Sequence, residues 1–360
     1  MINVAVVGCG YWGPNLIRNF NSLEDCKVKI ACDLDKNRLA HIKTLYSSIE
    51  TTTEYDRLIE DATIDAIAIA TPVHLHHEMA KRSLQAGKHT FIEKPMALSA
   101  EECKDLIRLA ETQQLTIIVG HTFIYSPPVR KIKEIVNSGD LGEIQYISAR
   151  RLNLGLFQTD INVTWDLAPH DISIIIYVLD RIPISVNCHG KAHVNPDIED
   201  VTAMTLNFNN GAFATIQSSW LDPNKIREMT FVGSKRMLVY NDVEPIEKIK
   251  IYDKRVETPP HYDTFAEFHY SYHYGDMYAP YIKQYEPLKL ECQEFLNGIK
   301  TGSKPQTGGL EGLQVIQILE AAMESLKNNG AMVKINPVER TELIIEDKQL
   351  GDKQRVFVVD

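Results

Sequence analysis

The sequence predicts an α/β chain in two parts: an N-terminal doubly wound parallel sheet, then an α+β domain on a large, mostly antiparallel open sheet. Three observations predict it. Over residues 2–121, short continuous apolar runs alternate with amphipathic stretches, the pattern of strands covered by helices on both faces. Beyond Pro127-Pro128 the runs lengthen and alternate apolar with polar residues, as half-buried antiparallel strands do. Finally, 360 residues exceed what one core usually organises. The expected division is 1–122, 123–337 and a charged extension at 338–360.

The elements follow in order. Strands are expected at 3–7, 28–32, 66–69, 89–92 and 116–119, because each is short and apolar. Between and after them, helices are expected at 14–22, 36–45, 55–60, 76–86 and 100–113, the last opened by Ser99 with Glu101 and Glu102 in its first turn. A helix at 129–138 then leads through Gly139-Asp140-Leu141-Gly142 into strands at 143–153, 185–194, 200–207, 212–220, 227–233, 236–240 and 248–252. Asn209-Asn210-Gly211 marks one hairpin turn. Further helices are expected at 172–179, 285–300 and 310–328. One face of this second sheet should carry helices. The other would expose apolar surface without a partner, so a homodimer or homotetramer through that sheet is expected. The aromatic stretch 261–281 reads either as a substrate or subunit-contact loop or as a packed surface loop.

Composition narrows the function. Apolar residues at 44% and charged residues at 24% describe an ordinary globular protein. A net charge of −10 argues against nucleic acid as a main partner. No run approaches the length of a membrane span and no leader-like segment is evident, so a cytoplasmic protein is expected. The six cysteines form no CxxC pair and read as reduced thiols.

The chemistry-bearing residues fall in three motifs. The first apolar strand runs into Gly8-Cys9-Gly10-Tyr11-Trp12-Gly13, with an amphipathic helix behind it. Such a turn brings backbone N–H groups and a helix N-terminus to a pyrophosphate. Asp33 ends the second strand, where a carboxylate accepts both ribose hydroxyls and repels a 2′-phosphate. The expected cofactor is therefore NAD, bound on a Rossmann domain. Glu93-Lys94-Pro95 follows another strand, at the carboxyl edge where ligands bind in such sheets. Lys94 could polarise a substrate oxygen or exchange a proton, or could be a solvated turn residue. In Trp165-Asp166-Leu167-Ala168-Pro169-His170-Asp171, Asp166 and His170 are spaced i, i+4 at the start of an apolar helix. They read as a carboxylate-supported acid/base, or as a helix cap beside a structural His. His74, His76 and His77 lack a second ligand set at metal-site spacing, so no metal is expected. Tyr125, Arg151 and Asn153 lie where strands should end near a cleft; Arg151 could pair with a carboxylate or diphosphate, or be an exposed sheet-edge residue.

Together these motifs resemble the Gfo/Idh/MocA family of NAD(P)-dependent sugar and polyol oxidoreductases, from Ile2 to about Pro337. Val73 replaces a frequent Asn after Thr71-Pro72, and Ala168 stands where Gly is usual. The resemblance implies that Lys94 and His170 face the reacting carbon with Asp166 beside them. It implies cofactor contacts from Gly8, Gly10, Tyr11, Trp12, Gly13, Asp33, Thr71, Pro72 and His76, and a nicotinamide contact from Glu93 or Lys94. A cis Lys94–Pro95 bond is also implied. Within the family, the Gly-Tyr-Trp-Gly-Pro-Asn turn, the Asp166–Asp171 segment and Tyr285-Glu286-Pro287-Leu288 are most similar to dehydrogenases acting on C3 of a UDP-N-acetylglucosamine-type sugar or its uronate in surface-polysaccharide biosynthesis. The other readings are an inositol or free-monosaccharide dehydrogenase, and a non-catalytic NAD-bound sensor.

Overall fold

A computed structural model describes residues 1–257 and 271–338. Its contacts divide the described residues into two compact units: 1–125 with 286–320 and 336–338, and 126–257 with 271–285 and 321–335.

In the first unit, β1 (Ile2–Val7), β2 (Cys26–Cys32), β3 (Glu50–Thr52), β4 (Ala66–Ile69), β5 (His89–Glu93) and β6 (Ile117–Gly120) form one parallel sheet in the order β3-β2-β1-β4-β5-β6. The order reverses beside β1, which places a crevice at the carboxyl ends of β1 and β4. Helices α1 (Gly13–Asn21), α2 (Lys36–Leu45), α3 (Asp56–Glu60), α4 (His76–Gln85) and α5 (Ala100–Thr112) connect the strands. Ser99 caps α5 by accepting from the Glu102 amide, as its sequence pattern predicts. β4 is fully buried, as a strand covered on both faces should be. β3 was not expected: it is a three-residue, polar edge strand without an apolar run to announce it.

Helix α8 (Pro287–Thr301) and residues 309–320 of helix α9 (Gly309–Lys327) group with this unit rather than with the antiparallel sheet. Phe20 of α1, Phe91 of β5 and Phe295 of α8 explain why for α8. Their rings meet edge-on with centroids 5.9–6.2 Å apart, all three fully buried. At the start of α8, the Glu286 carboxylate accepts from Nη1 and Nη2 of Arg18 and from the Asn19 side-chain Nδ2. The Glu286-Pro287 motif thus straps α8 to the helix behind the glycine turn.

The second unit opens with helix α6 (Pro127–Asn137). It contains β7 (Ile144–Leu152), α7 (Val163–Leu179), β8 (Ser185–Lys191), β9 (Val201–Asn207), β10 (Phe213–Ser219), β11 (Ile226–Gly233), β12 (Met237–Asn241), β13 (Ile249–Glu257), β14 (Ser271–Tyr278) and β15 (Val333–Lys334). The nine strands run β14-β13-β12-β11-β7-β10-β9-β8-β15. Among the described residues, only the β7–β10 pair of this sheet is parallel; the other neighbours are antiparallel. Burial alternates along β7, β9 and β11, with Ile147, Met204 and Phe231 inside and Ser148, Thr205 and Thr230 toward the other face. β14 occupies part of the stretch expected to be an aromatic loop; residues 261–270 of that stretch, and the expected extension beyond 338, lie outside the described residues.

Candidate functional site

The carboxyl edge of the parallel sheet gathers most of the sequence-predicted residues of the first unit. The glycine turn leaves β1, Asp33 follows β2, Thr71-Pro72 follows β4, Glu93 ends β5 and His121 follows β6. Gly8 is required by its conformation, with φ of +90°, and by space: a Cβ there would fall 2.4 Å from the Ala70 carbonyl oxygen. A Cβ on Gly13 would fall 1.8 Å from the Gly8 carbonyl oxygen. Gly10 by contrast would meet only the Arg38 side chain, at 3.5 Å. The turn is therefore closed where backbone packs on backbone and open at its middle glycine. This is the shape needed by a pyrophosphate cradle.

Asp33 is buried, and Oδ2 accepts from the Cys9 amide at 2.6 Å while Oδ1 accepts from the Asp35 amide at 2.8 Å. The carboxylate thus ties the end of β2 to the glycine turn. Arg38, which carries no motif of its own, brings Nη1 to 3.6 Å from Asp33 Oδ2. Its spacing five residues after Asp33, at the start of the helix following β2, was the available signal. Cys9 makes no nucleophile here, because burial and the neighbouring Asp33 charge push its thiol up to about 12. All six cysteines are free and buried.

His76 needs a corrected role. Its ring is buried between two carbonyl oxygens, Nδ1 2.8 Å from Pro95 O and Nε2 2.8 Å from Thr71 O. Burial lowers its pKa, so the ring is neutral and donates to one carbonyl at a time. His76 braces the Thr71-Pro72 turn against the Lys94–Pro95 bond, which is cis. Both ring nitrogens are thus taken up by the backbone of the two turns. Tyr11 stands exposed with its ring stacked on Trp12, whose indole nitrogen is buried.

Of Glu93 and Lys94, the first is buried and the second half-buried. The Glu93 carboxyl turns inward, its Oε2 accepting from the Lys94 amide at 3.3 Å and packing on Gly120. Burial pushes Glu93 up to about 8, with the Lys94 charge a smaller opposing influence. Two groups that the sequence did not single out share this region. Glu291 of α8 is fully buried, accepts from Thr122 Oγ1 at 2.7 Å, and is raised well above the usual carboxylate range by burial and then by Glu93. His121 is buried and lowered to about 4, by burial first and then by the Lys94 charge. The side chain of Lys94 is half-buried. The two carboxyls beside it, Glu93 and Glu291, are both raised by burial.

In the second unit, α7 begins earlier than the sequence suggested. Asn162 caps it, accepting from the Trp165 amide, so Asp166 is not a cap. Asp166 lies in the first turn and His170 one turn later, with Pro169 inside the helix. Asp166 Oδ2 accepts from the Trp220 indole at 3.1 Å. The i, i+4 spacing thus puts both half-buried side chains on one helix face.

Two substrate candidates are corrected. Tyr125 is fully buried in the first unit, its hydroxyl 3.0 Å from Thr307 Oγ1, which removes it from any ligand surface. Arg151 is not at an exposed sheet edge: Nε and Nη2 donate to Asp171 at 2.9 and 2.8 Å, with both residues buried. Asn153, just past β7, is half-buried. Among the described residues no group of three or more His, Cys, Asp or Glu side chains is arranged to hold a metal ion, and no helix is long and apolar enough to cross a membrane.

Comparison with known proteins agrees with this geometry. Residues 2–121 match the profile described as the oxidoreductase family, NAD-binding Rossmann fold, and residues 129–239 match the Gfo/Idh/MocA C-terminal domain. The two matches together span more than half of the chain. An uncharacterized oxidoreductase, YrbE of Bacillus subtilis, is 26% identical over 94% of this chain and 98% of its own length. UDP-N-acetylglucosamine 3-dehydrogenase of Acidithiobacillus ferrooxidans is 27% identical over 71% of this chain and 76% of its own. The solved structure of that organism's UDP-N-acetylglucosamine 3-dehydrogenase GnnA has the same fold, with TM-score 0.74 and 23% identity over 91% of this chain and 98% of that one.

Proposed function

Because this chain belongs to the Gfo/Idh/MocA family and is an NAD-dependent oxidoreductase acting on CH–OH groups, we propose that its substrate is a nucleotide sugar oxidised at C3, a UDP-N-acetylhexosamine or its uronate, in surface-polysaccharide biosynthesis. The reading is carried by one observation: the glycine cradle, Asp33 and Lys94 follow β1, β2 and β5 at the carboxyl edge of one parallel sheet. The likeness to a UDP-N-acetylglucosamine 3-dehydrogenase supports the choice of sugar.

NAD, when bound, supplies the hydride acceptor; the chain supplies position and proton transfer. Gly8, Gly10 and Gly13 would hold its pyrophosphate, and Asp33 its ribose hydroxyls. Lys94 donates a hydrogen bond to the reacting oxygen and stabilises its developing negative charge. His170 accepts the hydroxyl proton, and Asp166, one turn away, stabilises the imidazolium that forms. Asn153 is retained as a substrate contact.

A panel of UDP-N-acetylglucosamine, its uronate, myo-inositol and free monosaccharides, scored for NADH formation with NAD and with NADP, tests this reading. Turnover of a UDP-sugar with NAD is expected. Activity on inositol alone would replace the substrate assignment, and NADP preferred over NAD would sink the role given to Asp33. No turnover of any compound by NAD-loaded protein would favour a sensor.

The open face of the second unit's sheet supports self-association. It carries Tyr146 and Phe213 as an aromatic pair at 5.0 Å, with Phe213 39% exposed. Sedimentation equilibrium is expected to give two or four times the 40.8 kDa chain mass. A species of single-chain mass would remove this interface.

A further inference from the structure

We infer that Arg151 and Asp171 are positioning residues for His170, their buried fork fixing the height of the second turn of α7 on the sheet; this rests on His170 being the acid/base group. Pro169 sits inside α7 immediately before His170. Proline has no N–H, so the helix ladder lacks a bond to the Trp165 carbonyl at that step. The turn that carries His170 is therefore the one the helix itself holds least firmly.

Two side-chain clamps bracket that turn. Before it, Asn162 caps the helix, Thr164 Oγ1 lies 2.8 Å from Thr202 Oγ1, and the Trp220 indole donates to Asp166. After it, Asp171 receives Nε and Nη2 of Arg151 at 2.9 and 2.8 Å. Arg151 lies on β7, hydrogen-bonded between β10 and β11 and opposite Ser218 and Arg227, so its anchor is the middle of the sheet. A bidentate guanidinium–carboxylate pair fixes direction as well as distance. A well-packed apolar pair would serve stability as well or better. The pair's distinctive contribution is geometry, and the residue whose geometry it governs is the neighbour of Asp171.

The test compares Arg151→Lys, the double variant Arg151→Leu/Asp171→Leu, and His170→Asn. Each is followed by thermal midpoint and by the NMR signals of protein labelled at histidine Cε1, with His170 assigned as the resonance lost in His170→Asn. kcat, KM and the primary deuterium isotope effect are measured on whichever panel compound the wild type oxidises. The double variant is expected to melt at or above the wild type with the His170 resonance displaced. Its kcat should fall about 10–100-fold with KM within about threefold, and its isotope effect should rise, because a misplaced base slows the chemical step. Loss of active molecules alone would lower kcat and leave the isotope effect unchanged.

Arg151→Lys, which keeps the charge and loses the fork, should lie between the two. If the double variant does not fold, Arg151→Lys decides by the same readouts. A folded variant with the wild-type His170 resonance, kcat and isotope effect overturns the proposal. Near-normal kcat in His170→Asn would instead overturn the acid/base reading, while a displaced resonance in the clamp variants would still establish the clamp.

Discussion

Replacing Lys94 by Ala or His170 by Ala is expected to lower kcat by about 10²–10⁴, the usual loss on removing a positioned acid/base group. NAD affinity should stay within a few-fold of wild type. The separation follows from where the cofactor is held. The glycine turn is built by Gly8 and Gly13 packing on backbone, and by Asp33 accepting from the Cys9 amide. None of those contacts involves Lys94 or His170. Fluorescence titration with NADH, beside steady-state kinetics on the active panel compound, measures both halves. If the two side chains act as a unit, the double variant should be little worse than either single one. Near-normal kcat in either variant would mean that its role has been misplaced. Loss of NADH binding in both would make them holders of the cofactor or the fold.

The parts of this site that were legible in the sequence are those written in local order. The Gly8–Gly13 turn, Asp33 and Lys94 each follow a short apolar run, and a buried parallel strand announces both itself and its carboxyl end. Element ends were less legible where no apolar pattern marks them. The start of α7 depends on Asn162, a capping residue followed by only one apolar position before the motif. β14 is an edge strand whose Tyr272 and Tyr274 are exposed, so it shows no alternation of buried and exposed residues. Long-range pairing was not legible at all. Arg151 read as a ligand for anions because its chemistry suits them, yet its partner is Asp171, 20 residues on. Tyr125 read as a strand-end residue near a ligand, but Thr307, 182 residues away, holds its hydroxyl inside the first unit. Glu291 carries no motif; only folding of α8 brings it under the influence of Glu93.

That buried acid pair sets the second large expected effect, a loss of stability as pH rises from about 6.5 to 8. Glu93 is pushed up to about 8 by burial, from an ordinary value near 4.5 in the unfolded chain. Between those values the folded state holds a proton that the unfolded state has released, so stability falls with pH by about 1.4 kcal/mol per unit. The contribution is fully present below pH 4.5 and is lost as pH rises through 8, about 5 kcal/mol across the whole window. Glu291 is raised by burial in the same direction and steepens the fall. His121 acts on the other side. Its pKa is lowered to about 4, so the unfolded chain binds the extra proton between 4 and 6.5 and stability rises with pH there. Above pH 6.5 the His121 contribution is complete, and the two carboxyls act unopposed by it.

Thermal midpoints of the cofactor-free protein from pH 5 to 8.5 should therefore fall on the alkaline side. The fall should be shallower in Glu93→Gln and in Glu291→Gln, since an amide keeps the hydrogen-bond acceptor and has no proton to lose. Glu291→Gln retains an acceptor for Thr122 Oγ1, which isolates the ionisation from the packing. Alkaline slopes in both variants equal to the wild type's would show that these carboxyls ionise normally in the fold. In that case Glu93 would be an ionised partner of Lys94, and the charge available to a substrate oxygen at this edge would be largely cancelled.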